Sequence, residues 1–178
     1  MLRGYISLSR LREITIIGIL TAVIVATRMY LQFLPNIKPV TPIIIISVIA
    51  FDVWFGIKLS IVSTLVSSLF LGMGAFVPFQ ILAWVLISCI TEIVLKFCKR
   101  MYLFPMALFS GAMGYVYGFI VSFEKLFYMN FPGFVTYYIS GLYFDTLHAA
   151  GNFAFYLCLA PLLLKIFREQ KNGTVKKL

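Results

Sequence analysis

Asp145, His148 and Asn152 stand three and then four residues apart in the last apolar run of the chain. On a helix that spacing puts all three on one face. A carboxylate, an imidazole and a carboxamide are costly in hydrocarbon unless they are paired or reached by water, so the triplet marks a site or a hydrogen-bonded strut between helices. Arg28, near the far end of the first apolar run, offers Asp145 an ion-pair partner or a solute a cation. A His148/Asp145 dyad in an intramembrane enzyme stays open at this point.

Further polar and aromatic groups lie in or beside three connectors. The first, residues 34–42, holds Asn36 and Lys38 between prolines, and Thr41-Pro42 reads as an N-cap followed by a first-turn proline. The second, residues 71–80, has two glycines for a tight turn and Pro78 to restart a helix, on which Gln80 and Trp84 share a face. The third, residues 122–140, carries Phe123, Phe127, Tyr128, Phe131, Phe134, Tyr137 and Tyr138 around Asn130 and Pro132-Gly133. It reads as too polar and broken to span a membrane. Its rings fit either an interfacial aromatic belt or a lid over a pocket, and the position of all three connectors on one side favours the lid.

The elements that must position these groups are apolar segments. Hydrophobic residues make up 62 % of the chain and charged ones only 12 %, against about 25 % in a soluble domain. At roughly 20 residues per crossing, 178 residues hold about six spans and no soluble domain besides. The expected architecture is an all-α integral membrane protein in one domain, residues 1–178, with spans at about 14–33, 41–55, 57–71, 78–97, 103–123 and 141–167. The second and third are split at Gly56 and Lys58, because one apolar segment of about 30 residues would overshoot the bilayer core.

Six spans put both termini on one side. That side holds Arg3, Arg10, Arg12, Lys58, Lys96, Lys99, Arg100, Lys165, Arg168, Lys171, Lys176 and Lys177, while the other holds Lys38 and Lys125. The positive-inside rule makes the basic side cytoplasmic and the chain a multi-pass protein of the cell membrane. The formal charge of +9 then reflects basic loops at an anionic lipid face, with no nucleic acid required. A cleaved signal peptide is the alternative for the N-terminus, but no small-residue cleavage site follows and losing a span would spoil the charge balance. Cys89, Cys98 and Cys158 show no pairing or metal-ligand pattern.

Gly18, Ala22 and Ala26 form a smooth stripe at four-residue steps along the first span, a surface that lets another helix approach closely. The chain has no Walker A sequence, no HExxH and no GxSxG. Energy from ATP would have to come from another subunit.

With these features, the phrases Pro35-Asn36-Ile37-Lys38-Pro39-Val40-Thr41, Pro78-Phe79-Gln80 with Ala83-Trp84, and Gly141-x-x-Phe144-Asp145-x-x-His148-Ala149-Ala150-Gly151-Asn152 resemble the substrate-binding S-component of energy-coupling factor importers, in the branch that includes cobalamin-specific members. The resemblance covers nearly the whole chain. It implies six helices with cytoplasmic termini, a membrane scaffold subunit and a pair of cytoplasmic ATPases as partners, and docking of the scaffold on Gly18, Ala22 and Ala26. It also implies capture of a vitamin at the outer side and release by toppling in the bilayer, with no intrinsic cofactor and no catalytic residue. For a ligand as wide and amide-rich as cobalamin, Asn36, Gln80, Trp84, Tyr137, Tyr138, Asp145, His148 and Asn152 would supply rings and hydrogen bonds, and Arg28 or Lys38 would meet its phosphodiester. Pantothenate or a modified purine base such as a queuosine precursor suits the same set.

Overall fold

The computed structural model describes residues 8–98 and 102–175, with side chains as far as Glu169. Arg3, Lys99, Arg100, Lys176 and Lys177, and the side chain of Lys171, lie outside the described residues. Six α-helices follow one another: α1 Arg10–Tyr30, α2 Val40–Ala50, α3 Val53–Leu71, α4 Phe76–Phe97, α5 Leu103–Ser122 and α6 Phe131–Val175, with a 3-10 turn over Phe123–Phe127. No strand occurs among the described residues. All but α2 are long and apolar enough to cross a membrane. Their outer faces carry large exposed apolar side chains such as Ile19, Leu69, Leu108 and Ile139. Such a surface belongs in lipid, and the chain is a membrane-embedded helical protein.

Two contacts set the helix directions. Lys58 on α3 meets Glu13 on α1 at 2.6 Å, and Arg28 near the end of α1 donates to Ser67 near the end of α3. The two helices are therefore parallel, and α2 with its flanking segments returns the chain between them. Gln80, near the start of α4, also meets Arg28, so α4 runs back the other way. Phe51, just before α3, packs on Phe167 of α6 at 4.8 Å, so α6 ends at the Lys58 end of the bundle.

Every residue of α2 is buried, including the run Ile43 to Ile46. A helix that is apolar all round has no face for water and takes the centre, where α2 touches all five other helices. Its 11 residues span only about 16 Å, half a bilayer core. Of the expected span 41–55, this helix covers only the part up to Ala50. The break falls at Phe51–Asp52, since the Asp52 carboxylate accepts from the Phe55 N–H at 2.7 Å and caps α3. Gly56 lies inside α3 and serves packing: a Cβ there would collide with Val48.

Two local expectations change. Thr41 does not cap α2, which begins at Val40 after Pro39; its hydroxyl is used in the interior instead. Residues 131–140 are helical and continuous with the last helix, which starts ten residues before the expected 141. Asn130 Oδ1 accepts from the Gly133 N–H at 3.0 Å and Pro132 falls in the first turn, where its missing N–H is no loss.

The most extensive helix–helix contact among the described residues is α5 against α6. Gly111, Gly114 and Gly118 line the α5 side, and a Cβ on Gly114 would sit 2.8 Å from the Ala149 nitrogen. Small residues here let two backbones meet, which maximises dispersion contacts where no hydrophobic drive acts between helices in lipid.

Candidate functional site

At the end of the bundle opposite Lys58, α1, α3, α4, α5 and α6 bring polar and aromatic groups together with the connector before α2. Arg28 is 8 % exposed. Its Nη1 donates to Ser67 Oγ, its Nη2 to Gln80 Oε1 at 3.2 Å, and its Cζ lies 5.4 Å from the centre of the Trp84 ring. The four-residue step from Gln80 to Trp84 thus presents an acceptor and a π-face to one guanidinium.

Trp84, Tyr117 and His148 form a pile of three rings with centroids 4.8 and 5.0 Å apart. A chain of hydrogen bonds runs along it. His148 Nδ1 lies 2.7 Å from the Asn36 carbonyl oxygen, which can only accept, so Nδ1 carries the hydrogen. In the neutral imidazole Nε2 then accepts from the Thr41 hydroxyl at 3.4 Å, and Thr41 Oγ1 accepts from Trp84 Nε1 at 3.1 Å. Asn36 also donates through Nδ2 to the Phe144 carbonyl at 3.3 Å. Its φ of 56° is a left-handed conformation that asparagine tolerates. Asn36 therefore fastens the connector across α6.

Lys38 lies in this connector, within electrostatic reach of Arg28 and His148. Burial first, and the Arg28 charge second, hold its ammonium below the usual lysine range.

The remaining expected residues lie apart from the pile. Asp145 packs against Gly118, where an added Cβ would clash with its carboxylate, and its charge is felt at Tyr117 and Tyr138. Among the described residues no ion pair joins it to Arg28, and no hydrogen bond joins it to His148. Of the two roles open to Arg28, the ion pair with Asp145 is not formed: the guanidinium is taken by neutral groups. Asn152 is completely buried beside Ser110, its side-chain N and O without partners among the described residues. It lies about 10 Å along the helix from Asp145. Tyr138 packs on Phe119 and Phe134, and Tyr137 lies exposed with Lys125 5.3 Å from its ring centre. Both belong to the aromatic end of the bundle.

Gly18, Ala22 and Ala26 are all exposed, and a Cβ on Gly18 would meet nothing within 4 Å. Among the described residues the stripe is not used to pack α1. Two grooves, of about 310 Å³ between α1 and α6 and about 390 Å³ between α5 and α6, open elsewhere. Neither includes a residue of the ring pile, in which Trp84 and His148 are buried, 2 % and 5 % exposed, and Tyr117 is partly exposed.

Ser67 and Tyr117 belong to the cluster without having been singled out from the sequence, and Thr41 was expected only as a helix cap. Ser67 and Thr41 are ordinary residues in apolar helices and give no signal. Tyr117 could have been found from Gly114 and Gly118, which flank it on a helix face built for close approach. No family model, no curated protein and no solved structure matches this chain.

Proposed function

We propose that this chain is the solute-binding S-component of an energy-coupling factor importer in the cell membrane, with six crossings, α2 and its flanking segments making one of them, and both termini cytoplasmic. The observation that carries the reading is the meeting of Arg28, Gln80, Trp84, Tyr117 and His148, from four helices, at the end of the bundle opposite Lys58. A polar, ring-lined cluster at one end of an apolar bundle suits capture of a small solute from one side of the bilayer.

The free stripe Gly18, Ala22 and Ala26 supports docking on a scaffold subunit coupled to two ATPases. Cobalamin is the preferred solute, on the strength of the phrases quoted above; pantothenate or a queuosine precursor is the alternative. A ligand as wide as a corrin requires the ring pile and the aromatic segment 123–138 to part, so binding to this form has a conformational cost.

The test is calorimetric titration of the full chain in detergent with cobalamin, pantothenate and a modified purine base. Saturable one-to-one binding without turnover supports the reading. Silence toward the whole panel in a folded sample counts against it.

A further inference from the structure

Three lysines elsewhere in the bundle have carboxylates beside them. Lys58 lies 2.6 Å from Glu13, Lys125 2.9 Å from Glu124 and Lys165 3.9 Å from Glu169. Arg28 and Lys38 have no carboxylate within ion-pair distance among the described residues, although Arg28 is the most buried cation of these.

The guanidinium is held by a hydroxyl, a carboxamide oxygen and an indole face. These satisfy donors and fix its direction but bring no negative charge. Of its five N–H groups, two are engaged among the described residues. Lys38 follows Asn36 in the connector that is tied to His148 at the ring pile, and its charge and that of Arg28 oppose one another. Asp145, the carboxylate on α6 at this end, is turned into the space beside Gly118. Two neighbouring cations in a low-dielectric site, with no counter-charge, are unfavourable unless an anion completes the set.

We propose that Arg28 and Lys38 form an oxyanion subsite, so that the solute taken up carries a carboxylate or a phosphate ester, with Trp84 on Arg28 setting its approach. The proposal rests on the solute-binding reading. Arg28 can present two parallel N–H groups to an oxyanion, while Lys38 acts as a point charge on a mobile stem. A guanidinium serving only to clamp α1 to α3 and α4 would affect stability but not select among ligands by charge.

The experiment uses the full chain in detergent and pairs of probes with and without an anionic group: pantothenate against pantothenol, which differ only in the carboxylate, and cobalamin against cobinamide, which lacks the phosphodiester together with the rest of the nucleotide loop. Affinities are measured for wild type, Lys38→Gln, Arg28→Lys and Arg28→Gln, with thermal unfolding as the check on folding. Lys38 is half-exposed, so Lys38→Gln keeps the test alive if the Arg28 variants fail to fold. The expected result is that the anionic member of a pair binds about tenfold or more tightly than its counterpart, the worth of one charge-assisted contact. Lys38→Gln should erase most of that ratio while leaving the counterpart's affinity unchanged. Equal affinities within a pair, or equal loss for both members in Lys38→Gln, overturn the oxyanion subsite and leave the solute-binding reading standing. Failure of all four probes to bind folded protein overturns both.

Discussion

The carboxylate of Asp145 fills the space that a Cβ on Gly118 would need. An ionisable side chain on α6 is thus accommodated by the absence of a side chain on α5. Gly118→Ala should push Asp145 out of place and destabilise the protein by about 1–3 kcal/mol, the usual cost of overpacking. Adding Asp145→Ala should restore much of the loss, because only a side chain is in the way. Gly114→Ala should show no such rescue, since its Cβ would press on the Ala149 backbone at 2.8 Å. Thermal unfolding of the single and double variants in detergent measures both.

Thr41 links Trp84 to His148 through one hydroxyl. Thr41→Val keeps the shape and removes both hydrogen bonds, stranding a buried N–H and a buried ring nitrogen. The expected loss is about 1–3 kcal/mol, read from the unfolding midpoint. A loss under half a kcal/mol would show that the chain of bonds contributes little.

Ala22 and Ala26 are exposed on α1 and face away from the ring pile. On the importer reading, Ala22→Leu with Ala26→Leu should leave folding and solute binding intact while preventing co-purification with a scaffold and ATPase subunits. Loss of solute binding in the same variant would show that the stripe and the pocket are not separate surfaces.

Lys38 is held below the ordinary lysine range by burial and by Arg28. It therefore loses its charge at a lower pH than an exposed lysine, and a bound anion would pull its proton affinity back up. Anion affinity should be level below that lowered pKa and fall as pH rises through it, with proton uptake on binding in that window. Lys38→Gln should flatten this arm of the profile in a calorimetric pH series. An unchanged profile would remove Lys38 from the site.

Composition and periodicity determined the membrane setting, because an apolar run long enough to cross a bilayer is a local property of the chain. Local chemistry likewise joined Gln80 to Trp84 on one helix face. The start of α6 is legible in Asn130 and Pro132, yet the polar residues and the Pro132-Gly133 pair of 122–140 make the segment read as a loop. Similarly, Gly56 looked like a break and proved to be a contact point.

What only the tertiary structure decided is who faces whom. Helix rotation and the partner of a buried charge depend on all neighbouring helices at once, and no spacing within one helix encodes them. Arg28 could equally have met Asp145; the approach of α3 and α4 gave it Ser67, Gln80 and Trp84, while Gly118 made a separate seat for Asp145. The central place of α2 was decided in the same way. Its run of isoleucines states that it must be buried, but only the packing of the other five helices around it makes an 11-residue segment the core of the bundle.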